Sequence, residues 1–326
     1  MTSRRTFLAA AATAAAASAF GFSVPAFAKN TTARVIVPFP AGGGGDALAR
    51  TVVDVLARQA GSRILVDNRP GAGGNVGTRL LTQAKPDGLT LGYVTNGILC
   101  VNQHLYGETG FNTNDLIPVG LSTEIGLVAV LNPKAIEGVT DLKSLIAYAK
   151  ANPGKVDFAS SGNGTTSHLA GLFFAECAGL KLTHIPYRGG AAAMLDVLSG
   201  RIPLMIDVAP NALQHVAAGK LTALATPSRE RLPSAPDVPT FAEAGVPGFE
   251  LSAWDGFVLP KGTPEKIVRD WNRALVEALS DEELRRRLAA RGADVRPGTP
   301  EAFRDFIASE APKWEKLVKT IRAERT

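Results

Sequence analysis

The chain has 326 residues, with 35 Lys and Arg against 30 Asp and Glu, a formal net charge of +5 and 45% hydrophobic residues. That balance excludes a disordered chain, and no basic run of the kind that tracks nucleic acid is present, so no nucleic-acid partner is expected. Two cysteines, Cys100 and Cys177, cannot staple a chain this long, so the fold must rest on a hydrophobic core.

Residues 1–28 read as an export signal. Ser3-Arg4-Arg5-Thr6-Phe7-Leu8 has the twin-arginine pattern, an Ala-rich run follows, and Ala26-Phe27-Ala28 supplies a cleavage site before Lys29. No later apolar stretch approaches the ~18 residues of a membrane span. The expectation is an exported chain in the periplasm, soluble once the signal is cleaved.

From there short β-branched runs alternate with helical patterns, the signature of a parallel α/β sheet. The expected strands are RVIVPF, RILVDN, LTLGYV, LIPVGL, GLVAVL, KVDFAS, KLTHIP, IPLMIDV, LTALAT and WDGFVL. Helices are expected at DALARTVVDVLARQ, stopped by Gly61, and at LKSLIAYAKA, stopped by Asn152-Pro153-Gly154. From Thr263 onward strands almost cease, and two long helical patterns, 264–291 and 300–322, each carry Pro near the first turn. Cys100 and Cys177 each fall in an apolar helical context, which favours two small packed hydrophobes over a disulfide.

The first chemistry-bearing stretch is Val37-Pro-Phe-Pro-Ala-Gly-Gly-Gly-Gly-Asp46, between strand and helix. Its glycines place no side chain between backbone amides and a ligand. A second strand–turn–helix unit recurs at Val156–Gly179 around Ser160-Ser-Gly-Asn-Gly-Thr-Thr-Ser-His168. Two helix starts facing one cleft would hold an anion from both sides. A rival reading is dinucleotide binding, because Gly42-x-Gly44-x-x-Ala47 fits that fingerprint and Asp67 ends the next strand. Against it, Pro38-Phe39-Pro40 intervenes where a tight turn is needed, and an exported protein would have to carry its nicotinamide along.

Between these two units, Gly71, Gly73, Gly74 and Gly77 surround a helix start that either takes Asn75 as its cap or serves the cleft. His168 reads as a helix residue turned to cleft or core. Arg188 could steer an anion, and Asp207 could accept from a ligand or bond Asn211. No serine-nucleophile elbow, P-loop or metal-ligand spacing occurs, so no catalytic residue, metal or cofactor is expected.

Taken together, VPFPAGGGGD, DNRPGAGGNVG, KPDGLTL, SSGNGTTSHLAG, HIPYRGGAAA, PDVPTFAEAG and WDGFVLPKGTP resemble the substrate-binding proteins of tripartite tricarboxylate transporters, the Bug family, over nearly all of the mature chain. The resemblance implies a two-domain periplasmic binding protein of type II-like α/β fold. Each domain would be a mostly parallel sheet flanked by helices, and a two-strand hinge would join them. Such a monomer closes over a small organic acid and passes it to membrane transporter subunits. Carried over, the ligand-binding residues are Phe39, Ala41, Gly42, Gly43, Gly44 and Asp46 from the first loop. The second loop gives Ser160, Gly162, Asn163, Thr165, Thr166 and His168, with Tyr187, Arg188, Gly189 and Asp207 nearer the variable end. One departure is Gly45, where the family usually has Thr, Ser or Asn. The expected domains are 29–126 plus 252–326 and 127–251, crossed at GLVAVL and LSAWDGF. The sparse charge favours a ligand with one or two carboxylates, and a sensor module feeding a signalling partner would use the same pocket.

Overall fold

The computed structural model describes residues 32–323, so the expected export signal lies outside the described residues. Each of the ten apolar runs forms a strand. In sheet 1 they are β1 (Thr32–Val37), β2 (Arg63–Asn68), β3 (Thr90–Thr95), β4 (Leu116–Ile125) and β10 (Ala253–Pro260). In sheet 2 they are β5 (Leu127–Leu131), β6 (Val156–Ser160), β7 (Leu182–Pro186), β8 (Leu204–Val208) and β9 (Thr222–Ala225). One short strand with no sequence signal, β11 (Ala293–Val295), closes the edge of sheet 1.

The helices of eight or more residues are α1 (Gly44–Ala60), α2 (Asn75–Thr82), α3 (Leu142–Ala151), α4 (Thr166–Ala178), α5 (Gly190–Leu198), α6 (Ala209–Ala217), α7 (Glu265–Ser280), α8 (Glu282–Ala289) and α9 (Pro300–Ala323). Gly61 ends α1 in the left-handed conformation. The 264–291 pattern splits because the Asp281 side chain accepts from Leu284 N at 2.8 Å and starts a new helix. No described helix is long and apolar enough to cross a membrane.

Sheet 1 runs β11-β4-β10-β3-β1-β2 and sheet 2 runs β7-β6-β8-β5-β9. The same parallel unit sits in both: β2-β1-β3 in one, β7-β6-β8 in the other. The expectation of mostly parallel sheets needs correction, because the remaining pairings, β10 with β3 and β4, β11 with β4, and β5 with β8 and β9, are antiparallel. The cause is connectivity. The chain leaves sheet 1 along β4, enters sheet 2 as β5 after the single residue Gly126, and comes back as β10, and a strand that returns beside its departure runs against it.

The core follows from the periodicities. Leu48, Val52, Val55 and Leu56 of α1 pack with Val35 and Val37 of β1, all 2% exposed or less. The central strand β10 is buried at all eight positions. Cys100 and Cys177 are both free thiols; burial pushes the Cys100 thiol up to about 12.

Candidate functional site

In a 2-1-3 strand order, connections leave β1 and β3 in opposite directions, and a crevice opens beyond their carboxyl ends. Both sheets have this order, and their crevices face each other. Between them lies a cavity of about 330 Å³, bordered by Phe39–Ala41 and Gly43–Gly45 after β1, Thr95–Gly97 after β3, Ser161 and Thr165–Ser167 after β6, Arg188–Ala192 after β7, and Asp207–Val208 at the end of β8. Its floor is made by Tyr93, Ile125, Ala253 and Trp254, where the chain crosses between sheets. Its mouth has exposed Arg188, Ala192 and Leu195. That volume is at the small-metabolite end of the usual range for ligand sites, roughly 300–1,000 Å³. A larger groove of about 690 Å³ beside Arg229 and Trp314 contains none of the expected residues.

Three helices begin at this cavity, α1 at Gly44, α4 at Thr166 and α5 at Gly190, and none has a side-chain cap. Their first N–H groups are therefore available, together with the positive end of each helix dipole. Arg188 and Asp207 are the two charged residues on the cavity wall among the described residues. Burial pushes the Asp207 carboxyl up to about 6, although Asn211 Nδ2 and the Val208 N–H both donate to it.

The glycines have a second use, visible where the two lobes touch. A Cβ at Gly44 would stand 2.6 Å from Val208 Cγ2, at Gly73 2.8 Å from Asn163 O, at Gly164 2.6 Å from Asn102 Oδ1, and at Gly189 2.6 Å from Pro40 Cγ. Each contact joins residues of opposite lobes, so glycine lets its backbone come close to the Val208, Asn102 and Pro40 side chains and to the Asn163 carbonyl. Two hydrogen bonds cross the same seam, Thr166 Oγ1 to Asn96 Oδ1 at 3.2 Å and Tyr106 OH to Asn163 O.

Of the sixteen expected residues, Phe39, Ala41, Gly43, Gly44, Thr165, Thr166, Arg188, Gly189 and Asp207 border the cavity. The other seven stand behind it. Asp46 is 3% exposed and accepts from Gly42 N at 2.9 Å, Arg50 Nε at 3.0 Å and Asn68 Nδ2 at 2.8 Å, while Asn68 also donates to Phe39 O. Burial alone would raise the Asp46 carboxyl, but the bonds from Arg50, Asn68 and Gly42 outweigh it and hold the group below its ordinary value. Asp46 is thus a brace under the glycine loop, not part of the wall. Gly42 takes φ +83°, which lets its amide turn back onto that carboxylate.

The second loop is braced in the same manner. Ser160 Oγ bonds His184 Nε2 at 2.6 Å and accepts from Gly162 N at 3.2 Å. His168 turns to the core, accepting from Gly164 N on Nδ1 and stacking on His184 with ring centroids 4.1 Å apart. Asn163 contributes its carbonyl to the seam, and Tyr187 OH donates to Asp196 at 2.6 Å. Asn75 does not cap α2; its Oδ1 accepts from Asn102 Nδ2 at 2.6 Å, and Gly73 is the residue of that turn that reaches the cavity. Gly45 borders the cavity with its missing Cβ 3.1 Å from the Phe39 ring, so a side chain there would press on Phe39.

Thr95, Asn96, Ser161, Ser167, Ala253 and Trp254 were not among the expected residues. A signal existed for Asn96, which stands one residue beyond the run LTLGYV just as Phe39 stands one residue beyond RVIV. Trp254 had none, because a residue inside a strand reads as core. Asp67, required by the dinucleotide reading, is outside the cavity in an ion pair with Arg69 at 2.8 Å.

Residues 48–323 match the family model described as tripartite tricarboxylate transporter family receptor. The chain is similar to protein BugT of Bordetella pertussis, 37% identical over 93% of this chain and 94% of the relative. Among solved structures it is similar to R. palustris Rpa4515 with adipate, with a TM-score of 0.86 and 31% identity over 90% of this chain and 98% of the other. It is likewise similar to MatC from Rhodopseudomonas palustris with bound malate, with a TM-score of 0.83 and 32% identity over 88% and 98%. The chain belongs to the tripartite tricarboxylate transporter receptor family.

Proposed function

We propose that the protein is a periplasmic receptor that takes a small carboxylate between its two domains and hands it to the membrane subunits of a tripartite tricarboxylate-type transporter. The observation that carries the reading is the meeting of three uncapped helix starts on one closed cavity. A carboxylate there is held by backbone N–H groups and dipoles without a buried cation. Binding is taken as the whole of the activity, because no imidazole among the described residues borders the cavity to act as base for a hydroxyl there. The domains are 29–126 plus 252–326 and 127–251, with hinges at Gly126 and just before Ala253, and the receptor acts as a monomer.

A cavity of this size, with one cation at its mouth and the Asp207 carboxylate in its wall, suits a mono- or dicarboxylate better than a tricarboxylate. Adipate and malate, held by the two relatives, are the first candidates. The test is a thermal-shift screen of residues 29–326 against mono-, di- and tricarboxylates, amino acids and aromatic acids, with NAD as control. A ligand bound by the folded state alone raises the melting temperature by mass action. A rise with one acid class supports the reading; a rise with NAD alone refutes it.

A further inference from the structure

The mouth of the cavity differs in chemistry from its interior. Behind it stand the three uncapped helix starts; at the rim the exposed residues are Ala41, Arg188, Ala192 and Leu195. Three of these are apolar and the fourth is a cation. Leu195 is 67% exposed, well above the 43% of Leu65, the next among the described large apolar side chains. Ala191, Ala192 and Leu195 are three and four residues apart on α5, so they share one side of the helix and give the rim an apolar strip.

The cation beside that strip is uncommitted. Among the described residues the Arg188 guanidinium has no hydrogen bond or ion pair, whereas Arg50, Arg69, Arg201 and Arg231 each hold a carboxylate within 3.3 Å. The acids of its own surroundings are engaged elsewhere. Asp196 on α5 accepts from Tyr187 OH at 2.6 Å and from Arg201 at 3.3 Å, and Asp207 in the wall accepts from Asn211. Backbone on both sides of Arg188 is fixed, because Tyr187 N donates to Ser160 O at 3.1 Å and Gly189 lies against Pro40. The long side chain is therefore anchored at the mouth and free to turn across it.

We propose that the ligand is an α,ω-dicarboxylate with an unsubstituted methylene spacer: one carboxylate sits on the helix starts, the methylenes lie along Ala192 and Leu195, and Arg188 takes the second carboxylate at the mouth. The inference rests on the carboxylate-receptor reading and names the class of acid. A guanidinium meets a carboxylate through two parallel N–H···O bonds, which fixes orientation as well as charge. Methylenes laid on the strip leave water together with the leucine. A third carboxylate branching from the spacer would meet the strip and find no second cation on the cavity wall among the described residues.

The experiment is calorimetry on the mature chain with succinate, glutarate, adipate and pimelate, each against the monocarboxylate of the same carbon number, and with malate and citrate. The best diacid is expected to bind at least tenfold tighter than its monocarboxylate, by a margin that narrows as salt rises. Arg188→Gln is expected to shrink that margin to about twofold. Affinity is expected to rise up to about fourfold per methylene in the wild type, and Leu195→Ser to flatten that rise. A wild-type protein that binds diacid and monocarboxylate alike, or an Arg188→Gln variant that weakens both equally, overturns the proposal and leaves the receptor reading standing. Tighter binding of malate or citrate than of every unsubstituted diacid does the same. Failure of every acid to bind the wild-type chain overturns both.

Discussion

Helices α3 and α8, away from the cleft, begin with aspartates whose side chains cap them: Asp141 accepts from Ser144 N at 2.7 Å in a capping box, and Asp281 accepts from Leu284 N at 2.8 Å. At the cleft, α1 and α5 begin at Gly43 and Gly189, and α4 at Thr165, whose hydroxyl donates to Gly162 O instead of accepting from the helix. Gly43 makes the contrast sharpest. It has the extended conformation of an N-cap, φ −80° and ψ 168°, and a Cβ there would meet only ordinary contacts at 3.8 and 4.0 Å. Neither strain nor crowding demands glycine at this position. On the proposed reading, the bare helix end is where a ligand's oxygens would do what an aspartate would otherwise do for it.

The contrast can be erased by putting the missing cap in place. Gly43→Asp fills the end of α1 with its own carboxylate; the expected outcome is a hundredfold or greater loss of acid binding by calorimetry, together with a melting temperature that holds or rises. A cap is typically worth about 1 kcal/mol. A variant that still binds the acid would show that α1 takes no part in the grip.

Removing the brace tests the same loop from behind. Asp46→Ala leaves the Gly42 amide, Asn68 and Arg50 without their acceptor, and binding is expected to weaken more than tenfold. Arg50 is nearly half exposed and rehydrates readily, so the fold survives with a loss of about 1–3 kcal/mol in denaturant unfolding. Equal affinity in a folded variant would exclude the bracing role.

Buried carboxylates set a pH dependence. Burial pushes Asp207 and Asp255 each up to about 6, the latter despite hydrogen bonds from Tyr93 and Thr123. The unfolded chain therefore gives up these protons first as pH rises. Stability is expected to fall between about pH 4 and pH 6 and then level off, because the folded state holds the protons more tightly. Asp255→Asn, which keeps an acceptor for Tyr93 and Thr123, is expected to flatten that fall and to raise stability at pH 7.5 by about 1–3 kcal/mol in urea titrations. An unchanged pH profile would mean that Asp255 is not one of the titrating groups.

The smallest effect belongs to the capped end. Asp141→Ala is expected to cost about 1 kcal/mol of stability with no change in ligand affinity. Any change in affinity would undo the separation between the two kinds of helix start.

Strands and turns were legible because each expected strand is an apolar run ended by glycine, proline or asparagine. The repeat of strand, turn and helix at Val37–Arg50 and Val156–Gly179 marked the first βα step of the parallel unit in each sheet. Two things were not legible. Antiparallel partnership of β10 and β4 depends on a return from far along the chain, and three-residue β11 carries no pattern. At the site, sequence named the right loops but could not tell wall from support: Asp46, Ser160 and His168 look like ligand groups by residue type, and only their packing shows them facing away. Trp254 was hidden for the opposite reason: it reads as core in a buried strand, yet it borders the cavity.

The seam of glycines bears on release as much as on capture. Where domains close through interlocking side chains, every closure freezes rotamers and every opening must free them. Gly44, Gly73, Gly164 and Gly189 have no rotamers of their own to lose, so their side of each contact adds no side-chain ordering where the lobes meet. In a receptor that closes on its ligand, more of the closing free energy would then be left to the cargo. On the proposed reading, such a seam would reopen readily once the cargo is drawn off, with little in its glycines to delay the next cycle.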